Sequence, residues 1–171
     1  MRPRDPFADP ERLIRRVYAY VAYRIGDGAD AEDVTAEAIE RALRYKDSYD
    51  DAKGEATVWV VGIARRVLQS HAVTPPTVQL DETAPAYEEV EENALRRVSV
   101  RAAVGGLGER DRELVALRYG ADLSAREIGL LLEMTTNAVE VALHRAVGRL
   151  RTELGTGSTV TSRPVAQPLP D

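Results

Sequence analysis

The sequence predicts an all-α fold of two small helical domains joined by a flexible acidic linker, the second domain a helix-turn-helix. Three observations carry this. Apolar residues recur every three or four positions through most of the chain, with no convincing strand alternation. The recurrence fails from Ala72 to Ala86, where Pro75, Pro76 and Pro85 fall. From Leu107 to Leu154 the pattern is a helix, a short helix, a tight turn and a longer helix. The expected boundaries are 1–71 for the first domain, 72–87 for the linker, 88–154 for the second domain and 155–171 for a disordered tail.

The first helix is expected from about Asp9 to Ile25. Asp9 suits the cap, Pro10 the first turn and Gly26 the stop. Leu13, Val17, Val21 and Ile25 step by four along one face. The second is expected from Asp30 to about Tyr45, with Asp30, Glu32 and Asp33 at its positive end. Val34, Ala38 and Ala42 mark its inner face. Residues 47–55 are polar and read as a loop. A third helix follows from about Thr57 to His71, with Val58, Val61, Ala64 and Leu68 on one side.

After the linker, helical period resumes near Glu88 with Val90, Leu95, Val98 and Ala102, and is expected to stop at Gly105-Gly106. Leu107, Leu114 and Leu117 lie on one face of the next helix, which should end near Tyr119 with Gly120 as a left-handed stop. Ser124-Ala125-Arg126-Glu127 spells a capping box, in which hydroxyl and carboxylate each bond the other's amide. Ile128, Leu131 and Leu132 give a short apolar stripe. Past Glu133 and Met134, Thr135 can cap a longer helix carrying Val139, Leu143, Ala146, Leu150 and Leu154. That arrangement holds the start of the last helix clear of the core, free to enter a major groove.

Composition narrows the function. The chain has 171 residues, 44% hydrophobic and 30% charged, as expected for a folded soluble protein. No window approaches the roughly 20 apolar residues of a membrane span. The N-terminus lacks the apolar core of a secretion signal, and there is no Cys to form a disulfide or thiolate metal site. A cytoplasmic location is expected, with no cofactor and no metal. The 47–55 loop does not match EF-hand spacing. The net charge of −5 argues against indiscriminate nucleic-acid binding, and therefore favours a protein that works inside a larger complex. Only His71 and His144 are available as imidazoles, and no Gly-rich phosphate loop is present, so an enzyme is disfavoured.

Two segments together resemble the ECF (extracytoplasmic-function) sigma factors of bacterial RNA polymerase. In the first domain these are the run from Gly26 to Val34 and Trp59-Val60-Val61-Gly62-Ile63-Ala64-Arg65-Arg66. In the second they are the run from Leu107 to Glu113, Leu117-Arg118-Tyr119, the run from Leu123 to Ile128, and Val139 with Leu143-His144-Arg145-Ala146. The resemblance covers most of Leu13 to Leu154.

The resemblance implies a non-enzymatic initiation factor. Its partners would be core RNA polymerase, through the β′ coiled coil and the β flap, and promoter DNA; an anti-sigma factor is a further possible partner. Membrane insertion is not expected. Glu32, Asp33, Glu37 and Arg41 would meet polymerase. Tyr49, Asp50, Lys53, Trp59, Arg65 and Arg66 would serve the −10 element, the loop trading a base's unstacking cost for a pocket. Thr135, Thr136, Asn137, Glu140, His144, Arg145 and Arg149 would serve the −35 element. Asn can bond adenine in bidentate fashion and Glu can accept from cytosine N4. Arg145 and Arg149 suit phosphates or salt bridges. The chain departs from the family pattern at Ala36, Ala56, Arg66, Glu140 and Ala142, which bears on the promoter read. The rival reading is a sigma-like regulator that binds DNA without polymerase.

Overall fold

The computed structural model describes residues 5–71, 100 and 102–157, and among them all regular structure is helical. Helix α1 (Pro10–Ile25) starts as expected: the Arg12 amide donates to Asp9 Oδ1 at 3.1 Å, and Gly26 at φ 90° ends it. Helix α2 (Ala29–Arg44) follows Gly28, whose φ of 124° is open to glycine alone at low cost. Two single 3₁₀ turns, Lys46–Ser48 and Asp51–Lys53, fold the polar loop. Helix α3 is Ala56–Ser70. The inner faces are those the periodicity marked, with Leu13, Val17, Val21, Val34, Ala38, Ala42, Val58, Val61, Ala64 and Leu68 all buried.

The second half opens with helical residues at 102–106, and this helix stops at Gly105-Gly106 as expected, Leu107 and Gly108 lying outside it. Helix α4 (Glu109–Val115) runs into a π turn, Ala116–Gly120, in which the Ala121 amide reaches the Ala116 carbonyl at 3.0 Å. Helix α5 is Ala125–Leu132, and helix α6 (Thr136–Gly157) passes the point at which a tail was expected. The linker at 72–87, the helix opening near Glu88 and the tail from 158 lie outside the described residues.

Gly120 is not the left-handed stop that the sequence suggested. The left-handed residue is Asp122, at φ 55°, two positions on. Gly120 serves close approach instead. A Cβ there would sit 2.9 Å from the Ala19 carbonyl oxygen and 2.9 Å from Tyr20 Cα. Only a bare α-carbon lets the π turn press against the backbone of α1.

That contact is part of a broad one. A single apolar cluster joins Leu13, Val17, Tyr20 and Val21 of α1 to Leu114, Leu117, Leu123, Ile128 and Val139 of the second half. Leu131 of α5 lies against Gly62 of α3, where a Cβ would meet its Cδ1 at 3.2 Å. A smaller cluster of Val104, Leu107, Val115 and Ala146 closes the second half on itself. Arg112 ties that half's opening turn by donating to the carbonyls of Gly105 and Leu107 at 2.7 and 2.9 Å.

Candidate nucleic-acid and polymerase interfaces

The helix-turn-helix is built by local bonds. Ser124 Oγ accepts from the Glu127 amide at 3.3 Å, and Glu127 Oε2 accepts from the Ser124 amide at 2.7 Å, completing the capping box. Glu133 takes the left-handed conformation at φ 56°, and the Met134 amide donates to the Gly129 carbonyl at 2.9 Å. Gly129 permits this turn, since a Cβ there would lie 2.6 Å from the Met134 carbonyl oxygen. Thr135 Oγ1 accepts from the Ala138 amide at 3.2 Å and so caps α6.

Helix α6 buries Val139 and Ala146 and half-buries Leu143 and Leu150. Thr136, Asn137, Glu140, His144 and Arg145 are all exposed on the other side, with Thr135 at the cap and Val141 among them. Arg149 is exposed but ion-paired to Asp111 of α4. It ties α6 to its own domain, the second of the two roles open to it from the sequence.

The loop between α2 and α3 is ordered by its own side chains. Asp50 Oδ1 accepts from the Ala52 amide at 3.1 Å, and Lys53 Nζ lies 3.5 Å from Asp50 Oδ2. The Tyr49 hydroxyl donates to the Gly54 carbonyl at 3.1 Å, and its ring lies 5.4 Å from that of Trp59. Beside the loop is an open cavity of about 520 Å³, lined by Tyr49, Gly54 and Thr57 and by Asp5, Asp9 and Arg12 from the start of the chain. Arg66 is exposed at the far end of α3. Arg65 is half-buried: its Nε lies 3.3 Å from Glu113 Oε1, close enough for an ion pair but not aligned as a hydrogen bond.

On α2, Glu32 and Asp33 are exposed. Glu37 is occupied by Arg41 and by His71, whose Nε2 lies 2.8 Å from Glu37 Oε2. The His71 bond, with help from Arg41 and against partial desolvation, holds the Glu37 carboxyl below its usual range. Next to these residues runs an apolar groove of about 750 Å³ lined by Ile14, Tyr18, Ala36, Ile39 and Leu43. Leu43 is 51% exposed and Ile14 43%. Sequence reasoning missed this groove, because Ile39 and Leu43 fall one helical step off the inner face. Among the described residues no acidic, His or Cys cluster could hold a metal ion, and no helix is long and apolar enough to cross a membrane.

Charged and polar side chains to which the sequence assigned no role join the halves. Tyr20 donates its hydroxyl to Glu113 Oε1 at 2.9 Å within the core. Arg24 pairs with Glu113 and, at 3.6 Å, with Glu109. Arg16 forks onto the loop after the π turn, with Nε 2.7 Å from the Ala121 carbonyl and Nη2 2.8 Å from the Asp122 carbonyl. Its third nitrogen donates to Thr57 Oγ1 at 3.1 Å. Burial pushes the Tyr20 hydroxyl up to about 12, with Arg24 and Arg65 pulling the other way.

The described residues thus form a helical unit with an exposed polar loop, followed by a helix-turn-helix. Comparison with known proteins makes this specific. The Sigma-70 region 2 family model matches residues 11–73, and the Sigma-70 region 4 model matches residues 97–150. The ECF RNA polymerase sigma factor ShbA of Streptomyces griseus is 31% identical over 132 residues, 70% of this chain and 69% of ShbA. The ECF sigma factor BldN of Streptomyces coelicolor is 29% identical over 143 residues, 78% of this chain. The chain spans about half the length of BldN, 54%. The structure of the sigma factor RpoE of Bartonella quintana, solved with the anti-sigma factor NepR, superposes with a TM-score of 0.61 at 16% identity, over 84% of this chain and 92% of RpoE. The chain belongs to the ECF RNA polymerase sigma factors.

Proposed function

We propose that this chain binds core RNA polymerase and directs it to promoters, without catalysing a reaction itself and from within the cytoplasm. The observation that carries the reading is the exposed face of α6. Thr136, Asn137, Glu140, His144 and Arg145 stand together on it, and none is needed for the core. In this reading that face takes the −35 element. The 46–54 loop, its adjoining cavity and Trp59 take the −10 element. Glu32, Asp33 and the apolar groove of Ile39 and Leu43 take a polymerase helix pair that offers basic and apolar side chains. The net charge of −5 supports action with polymerase over a free-standing DNA binder, which needs more positive charge.

The test is transcription in vitro from a genomic fragment library with core polymerase and this protein, mapping start sites. A set of start sites sharing upstream elements is expected. Asp33→Lys should weaken core binding in a titration, by repelling a basic partner surface. Asp33 suits this test better than Glu37, whose reversal would also break its contacts to Arg41 and His71. Failure to bind core and absence of specific starts would refute the reading.

A further inference from the structure

The cavity beside the 46–54 loop has a wall that the loop does not supply. Residues ahead of α1 form it: Asp5, Pro6, Ala8 and Asp9 all line the same space of about 520 Å³. This segment is pinned twice. Phe7, half-buried, packs on the main apolar cluster, and Asp9 caps α1. Between the pins the turn closes on itself. The Phe7 amide donates to Asp5 Oδ1 at 3.0 Å, and the Ala8 amide donates to the Asp5 carbonyl at 3.2 Å.

What this wall offers a ligand is acceptors. Asp5 and Asp9 each spend Oδ1 on a backbone amide, which fixes the carboxylate. Among the described residues Oδ2 of each makes no hydrogen bond. Glu55 adds a third carboxylate from the loop side. Donors are scarcer. The Tyr49 hydroxyl is spent on the Gly54 carbonyl, and Arg16 on Thr57 and the Ala121 and Asp122 carbonyls. The Tyr49 ring also lines the cavity and gives a base a face to stack on. Arg12, which is exposed, suits a phosphate of the same nucleotide. Bases differ in what they bring to such a wall. Cytosine and adenine carry an amino donor, whereas thymine carries an oxygen in its place. A carboxylate oxygen can accept from the first two and only opposes the third.

We infer that residues 5–9 are a working part of the −10 site, where Asp5 and Asp9 select an unstacked base with an exocyclic amine, cytosine or adenine, over thymine. Phe7 is the positioning residue that holds the segment in place. This rests on the sigma-factor reading above and adds to it a specificity element outside the loop.

The test uses holoenzyme, assembled from core polymerase and the full chain. It is titrated against dye-labelled forked duplexes taken from a mapped start site, each position of the −10 element carrying each of the four bases in turn. At one position cytosine or adenine should bind about tenfold tighter than thymine. Asp5→Asn with Asp9→Asn keeps both backbone bonds, because an amide oxygen accepts as the carboxylate did, but it replaces the second oxygen by a donor. That paired substitution should abolish the preference and move it toward thymine at the same position. The lost charges raise affinity for every duplex alike, so the ratio between bases reads the site and the affinity itself does not. Phe7→Ala should level the bases at that position and leave the other positions unchanged. Circular dichroism would confirm that each variant keeps its helices. A base ratio unmoved by the paired substitution, in a holoenzyme that still initiates, would overturn this inference and leave the sigma reading standing. So would a change spread equally over all positions. If the chain does not bind core, the sigma reading falls and this inference falls with it.

Discussion

The Tyr20 hydroxyl sits in the core between two halves of the chain, donating to Glu113. Its neutral form is the one that the fold accepts, and burial raises its pKa from 10.0 to about 12. A raised folded-state value means that the folded protein holds the proton more tightly than the unfolded chain. The associated stability is therefore complete below pH 10 and is lost as pH rises from 10 through about 12. At about 1.4 kcal/mol per pKa unit the whole effect is of order 2–3 kcal/mol. Tyr20 should consequently ionise well above the ordinary tyrosine range. Absorbance of tyrosinate followed against pH should end in a late step that coincides with unfolding, and Tyr20→Phe should remove that step. A titration of Tyr20→Phe indistinguishable from wild type would show that this hydroxyl is not the buried group.

At the scale of elements, helix α6 separates two jobs by face. Asn137 and Glu140 stand one turn apart on the exposed side, while Val139 is wholly buried. Asn137→Ala should relax −35 specificity by about 1–3 kcal/mol if the amide makes a bidentate base contact. Glu140→Lys should act differently, raising affinity for any duplex and steepening its salt dependence, because a repulsive charge becomes one that releases a counterion. Binding to matched and scrambled duplexes at several salt concentrations distinguishes the two effects. Equal behaviour of both variants and wild type would remove α6 from DNA reading.

How much of these elements the sequence reveals depends on whether the cause is local. The Asp9 cap, the Gly26 stop and the Ser124–Glu127 box are bonds between near neighbours, and each is legible as spelled. Starts without a side-chain cap moved by one residue: α2 begins at Ala29 behind Gly28, and α3 at Ala56. Gly120 was misread because a glycine after a helix fits a left-handed stop and a close approach equally well; the deciding atoms belong to Ala19 and Tyr20, a hundred positions away. Glu113 carries no local mark either. An acid on a helix is solvated by default, and only the fold brings Tyr20, Arg24 and Arg65 to it. Arg149 could be read as a phosphate contact or a salt-bridge partner until Asp111 came into place.

For the whole molecule, the merged core changes what stability means. Two domains joined only by a linker would unfold separately, each with its own midpoint. Here Val17, Tyr20 and Val21 share one apolar cluster with Leu114, Leu117 and Ile128, so neither half keeps its full core alone. The wild-type chain should therefore unfold in urea as one cooperative step. The single tryptophan, Trp59 in α3, reports the N-terminal half, while far-ultraviolet circular dichroism reports both halves. Coincident curves from the two probes are the signature of coupling. Gly120→Ala forces a methyl group to within 2.9 Å of backbone atoms, which cannot rotate away as a side chain would. Overpacking of this kind costs about 1–3 kcal/mol, and here the cost falls on the contact between halves rather than inside either one. The variant should lose coincidence: the fluorescence and dichroism midpoints separate, and the apparent slope of each transition falls because each step exposes less surface. Wild-type curves that already diverge, or a folded Gly120→Ala chain whose two curves stay superimposed with an unchanged slope, would mean that the two halves do not stabilise each other.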